Sequence, residues 1–222
     1  MSKHLQREID KLKEKVISMS SLVEDRVYQA TMSVINGDDE IAQAVIQGDA
    51  EVDEMEVDIE EDCLQVLALY QPVAIDLRFI IAILKINNDM ERIGDLAVNI
   101  AERSAFLSTQ KDFTIPFDVY QMAIKAESML SQSMDAVVNM DVRLAHLVRA
   151  EDDAMDALNR EMYVRVIEAL SKDMEHINCF LHSVSIGRHL ERIADHATNI
   201  AEDVVYMIDA RIIRHKPEVF EE

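Results

Sequence analysis

The sequence predicts an all-α fold of two tandem, structurally similar three-helix bundles, on three observations. Its 222 residues include only four Gly and three Pro, with no Trp and 13 Met, so turns are few and apolar helix formers plentiful. Apolar residues recur at steps of three and four over long segments, the period of an amphipathic helix. One phrase occurs twice, MERIGDLAVNIAE at 90–102 and LERIADHATNIAE at 190–202, identical at nine of thirteen positions and 100 residues apart.

The elements follow in order. Leu5, Ile9, Leu12, Val16, Met19, Val23, Val27, Ala30 and Val34 form the apolar stripe of a first helix. Asn36-Gly37-Asp38-Asp39 ends it, since Gly suits a left-handed C-terminal residue and Asp caps the next start. A second helix runs to about Tyr70, where Gln71-Pro72 breaks it, and a third from about Val73 to Leu107. Ser108 to Asp118 reads as a linker. The pattern then recurs: a helix from Val119 to Val138, a turn at Asn139-Met140-Asp141, a helix to Leu170, and a last helix from Met174 to Arg214. The expected division is 1–108 for the first bundle, 109–118 for the linker and 119–222 for the second. Gly48-Asp49-Ala50-Glu51-Val52-Asp53 matches Glu151-Asp152-Asp153-Ala154-Met155-Asp156 at an offset of 103, so the second copy is three residues shorter near its later turn.

Composition narrows the function. A net charge of −21 repels phosphate backbones, which argues against nucleic acid and favours cations or basic partner surfaces. No apolar run approaches a membrane span and no signal peptide is visible, so the expected location is the cytoplasm. Cys63 and Cys179 sit amid apolar helical residues as reduced thiols without zinc-site or redox spacing.

The acids are placed regularly. Glu91, Asp95 and Asn99 lie at about 0°, 40° and 80° around the helix, opposite Ile93, Ala97 and Ile100; Glu191, Asp195 and Asn199 repeat this. Asp49 and Asp53 form an i, i+4 pair on the preceding helix, and Asp152 and Asp156 repeat it. In an antiparallel hairpin, residues that come level have numbers averaging to the turn centre. Asp53 with Glu91, and Asp49 with Asp95, both average to position 72, which is the turn residue Pro72. Asp156 with Glu191, and Asp152 with Asp195, both average to the midpoint between Asp173 and Met174, again a turn. Four carboxylates per repeat therefore come abreast, away from the core. Like charges so placed raise each other's pKa unless neutralised, by Arg92 and Arg192 or by a bound cation. Their all-oxygen set suits magnesium, manganese, calcium or ferric iron in an exposed, shallow site, with zinc disfavoured although His189 and His196 are nearby.

ERIGD and ERIAD, with Pro72-Val73-Ala74-Ile75-Asp76-Leu77-Arg78 upstream, resemble the PhoU family of phosphate-transport-associated regulators over essentially the whole chain. The resemblance implies two three-helix bundles whose acidic motifs bind iron or other metals, multinuclear sites included. The matching positions are Asp49, Asp53, Glu91, Asp95, Asp152, Asp156, Glu191 and Asp195, with Asn99 and Asn199 in the extended motif. It also implies a regulator without catalysis that couples a phosphate ABC transporter, through its ATPase subunit, to a phosphate-sensing histidine kinase and represses the starvation response. A homodimer and a peripheral position at the inner face of the membrane are compatible with this. The segment PVAIDLR has no counterpart in the second copy, so any role of Asp76 and Arg78 belongs to one half. Two rivals stand beside this reading. A metal-free helical adaptor fits the same composition, whereas a di-iron enzyme would need inward-facing Glu-x-x-His motifs, and the nearest approach here is Asp173-x-x-His176.

Overall fold

The structure, a computed structural model, describes residues 3–110 and 112–213. Among them are seven helices: α1 (Lys3–Asn36), α2 (Asp39–Gln47), α3 (Asp49–Tyr70), α4 (Ala74–Ser108), α5 (Val119–Asn139), α6 (Val142–Leu170) and α7 (Ile177–Asp209). The apolar stripe that predicts α1 is the buried one, from Leu5 through Val27 and Ala30. Gly37 turns the chain at φ +64°, and Met140 makes the equivalent turn at φ +53° without glycine's freedom. Asp38 and Asp141 then cap the next helices alike: each carboxylate accepts two backbone N–H groups, from Glu40 and Ile41 or from Arg143 and Leu144. Asp141→Ala is expected to cost about 1 kcal/mol, a fall in Tm of roughly 2–4 °C by calorimetry, because two N–H groups lose their acceptor.

The second helix departs from expectation. It is not continuous but breaks at Gly48 into α2 and α3, whereas its counterpart α6 runs unbroken. A Cβ at Gly48 would collide with the Arg26 guanidinium, which passes the bare backbone to reach Glu51 at 3.1 Å. The second copy carries Glu151 in place of this glycine. The last helix is also shorter than predicted, beginning at Ile177 and closing on Ala210 in a left-handed conformation (φ 57°); Arg214 lies outside the described residues. The α3–α4 hairpin reaches farther than its repeat, since α3 ends at Tyr70 and α4 begins at Ala74, while α6 and α7 leave residues 171–176 outside helix.

Each half packs as a bundle, α1 with α2, α3 and α4, then α5 with α6 and α7. One continuous apolar core runs through both. The seam is α4 against α7 and α1 against α5. Partners across the first seam run in opposite directions, Arg78 with Met207, Lys85 with Asp203, Asp89 with His196 and Phe106 with His182, so α4 and α7 are antiparallel. In that register Ile93 and Ile193, both fully buried, come level at its centre.

Candidate carboxylate clefts

The predicted hairpin register is present. In the first half, burial pushes the Asp49 carboxyl above its usual range, reinforced by Asp53 beside it and Asp95 across the hairpin, and opposed by Arg26. Burial likewise raises Glu91, with Asp95 on its own helix and Asp53 and Glu56 opposite adding to it. Arg92 answers part of this charge, 3.4 Å from Glu91 and 3.3 Å from Asp95. Glu91 Oε2 is nonetheless buried without a hydrogen-bond donor.

The second half repeats the arrangement. Burial raises Asp152, with Asp156 and Asp153 adding to it and the Thr198 hydroxyl opposing. Glu191 is raised by burial and then by Asp156, partly offset by Arg188 and Arg192. Asp195 is pushed up to about 6 by burial, then by Glu191 and Asp152, while His196 opposes. Its side chain still meets solvent, at the wall of a cleft of about 730 Å³ that Asp152, Asn199 and Glu202 also line. Each of the four predicted couples, Asp49/Asp95, Asp53/Glu91, Asp156/Glu191 and Asp152/Asp195, is therefore close enough to interact.

The exposed, shallow site expected from sequence needs correction. Asp53 and Asp195 are exposed, but Asp49, Glu91, Asp95, Asn99, Asp152, Asp156, Glu191 and Asn199 are half-buried, because neighbouring helices wall them in. Asn99 turns its amide onto the Asp95 carbonyl at 2.7 Å. His189 is depressed to about 4 by burial and by Arg103, Arg192 and Arg188, so it stays neutral at pH 7.

Sequence reasoning missed the wall contributed by the other half. Lys85 and Asp89 of α4 line the second cleft. Asp89 meets His196 at 2.7 Å, and Lys85 lies 3.1 Å from the buried Asp203 and over the Tyr206 ring. A register argument within one hairpin carries no information on packing between hairpins. Glu202, seven residues beyond Asp195 on the same helix face, was within reach of the sequence pattern.

The donor set is all oxygen, and a buried acceptor without a donor, walled by carboxylates, suits a hard cation. Asp49, Asp53, Glu91 and Asp95 would hold one site and Asp152, Asp156, Glu191 and Asp195 the other, the cation adding to the partial neutralisation that Arg26 and Arg92, or Arg188 and Arg192, supply. Among the described residues no three His, Cys, Asp or Glu side chains are gathered closely enough to grip an ion as they stand, so binding would draw side chains inward.

Comparison with known proteins agrees with the duplicated hairpins. The PhoU domain profile matches twice, at residues 16–104 and 119–204. Over 210 residues, 95% of both chains, the sequence is 37% identical to the phosphate-specific transport system accessory protein PhoU homolog of Aquifex aeolicus. It is 35% identical to homolog 1 of Thermotoga maritima over 92% of this chain and 88% of that one. Among solved structures, PhoU from Pseudomonas aeruginosa superposes with a TM-score of 0.89 at 32% identity, covering 93% of this chain and 99% of that one. The phosphate transport system regulatory protein PhoU from Streptococcus pneumoniae gives 0.87 at 28% identity, over 94% and 98%. Two matched copies that together span most of the chain, on the same fold, place it: the chain belongs to the PhoU domain family.

Proposed function

We propose that the chain regulates phosphate uptake and phosphate-starvation signalling, coupling the ATPase subunit of a phosphate ABC transporter to a phosphate-sensing histidine kinase. It acts at the cytoplasmic face of the membrane and binds oxygen-ligated cations, iron, manganese or magnesium, in its two clefts. The observation that carries this is likeness along the whole chain to relatives named as accessory and regulatory proteins of phosphate transport. No described helix is long and apolar enough to cross a membrane. Pull-down of the purified chain with the transporter ATPase and with the kinase's cytoplasmic domain tests the assignment; failure to retain either would end it.

The cation proposal is tested separately. Asp95→Ala and Asp195→Ala are each expected to lower the bound metal, measured by elemental analysis after manganese or iron loading, without lowering Tm, since both side chains stand off the core. A metal-free adaptor is the second reading, favoured by Arg92 and Arg26, which already offset part of the charge. Substoichiometric metal in the untagged protein, with Tm unchanged on metal addition, would establish it.

A further inference from the structure

We propose that the tip of the α3–α4 hairpin, with the acidic flank of α3 below it, docks a partner helix with an apolar stripe edged by Lys and Arg. This deepens the regulator reading, which requires partners, but the chemistry of the surface points to it independently. Nine of the 22 residues of α3 are Asp or Glu and none is Lys or Arg. The equivalent stretch of α6, residues 152–170, mixes its acids with Arg160 and Arg165. Some of the acids on α3 are answered from elsewhere: Lys15 pairs with Asp58 and Asp62, and Arg26 with Glu51. Glu54, Glu60 and Glu61 stand exposed with no ion pair among the described residues.

Immediately above these acids the surface turns apolar. Leu64, Leu69, Val73 and Ile75 are 53%, 65%, 73% and 51% exposed, within twelve positions of one another. Leu69, Val73 and Ile75 occupy the part of the hairpin that extends beyond its repeat, while Leu64 aligns with Ile167 of α6. Two non-glycine residues of the turn, Gln71 at φ 47° and Ala74 at φ 50°, hold left-handed conformations that cost free energy, and Val73 lies exposed between them. An apolar tip over a strongly acidic flank complements a basic amphipathic helix: the apolar stripe covers the tip, and the lysines meet Glu54, Glu60 and Glu61.

The test uses the full chain and a model peptide, an amphipathic Leu/Lys helix of about 18 residues, followed by fluorescence anisotropy. Val73→Asp with Ile75→Asp is expected to weaken binding by about tenfold or more. Ile177→Asp with Leu181→Asp, exposed positions on the second hairpin, should leave it unchanged. Both doubles add the same negative charge, so binding driven only by the acidity of the chain would be strengthened by both, which would overturn the proposal. Equal loss in both doubles would overturn it too, as would a concentration-dependent dimer of the unmodified chain that the Val73/Ile75 double abolishes, since the occupant would then be a second copy. Unaltered Tm in each double shows that the surface, not the fold, was changed. Loss of peptide binding leaves the phosphate assignment standing, because that rests on the pull-downs.

Discussion

Ile193→Ala is expected to destabilise the protein by about 3 kcal/mol, roughly 6–12 °C in Tm, the cost of a cavity in a core that does not collapse around it. Ile193 is fully buried and comes level with Ile93 where α4 crosses α7. Urea denaturation should show a lower midpoint at unchanged slope. Ile93→Ala should cost a similar amount, and the double variant should depart from additivity, because the two side chains share one layer of the seam. A loss below about 1 kcal/mol would mean the seam is loosely packed and the shared core weaker than its burial indicates.

Asp195→Asn, two positions away, is expected to act in the opposite direction. The Asp195 carboxyl is raised from 3.8 to about 6, so the folded state favours its neutral form. A group raised in this way contributes stability below the unfolded pKa and loses it as pH rises through the folded one. At pH 7–8 the wild type therefore carries the full cost of the ionised side chain. A shift of this size in a fully desolvated group would correspond to about 3 kcal/mol. Because the side chain meets solvent and salt, we expect a gain of about 1 kcal/mol in the metal-free variant, or roughly 2–4 °C. Melting curves between pH 4 and 8 should show the gain at pH 7–8 shrinking through pH 6 and vanishing near pH 4. A gain constant across that range would show that crowding of charge is not its source. Manganese should stabilise the wild type more than the variant if the cleft binds cations as proposed.

The contrast between Ile193 and Asp195 shows how far the sequence was readable. Their separation by two residues on a 3.6-residue period assigns one to the core and the other to the face turned away from it, and both assignments hold. The level pairing across each hairpin was readable for the same reason, because a turn fixes the register of the two helices it joins. The break at Gly48 was not, because a lone Gly is tolerated within a helical pattern, and the passage of the Arg26 guanidinium over its bare backbone, from a different helix 22 positions earlier, shows only in the structure. Arg78, which has no counterpart in the second copy, donates its Nε–H to the Met207 carbonyl of the other half at 3.2 Å, a contact the sequence did not disclose. Contacts of that kind depend on how two hairpins dock, and periodicity within either hairpin is silent about it.

The antiparallel crossing of α4 and α7 brings equivalent isoleucines of the two repeats to one level, which is the contact made when identical subunits meet about a two-fold axis. A lone half-chain would leave that strip of isoleucine and alanine bare and would have to find a twin. The duplicated sequence thus has the geometry of a fused homodimer, in which residues 109–118 replace a chance encounter with a tether. Fusion also freed the copies to diverge, and the lengthened tip and unbroken α6 are where they have done so.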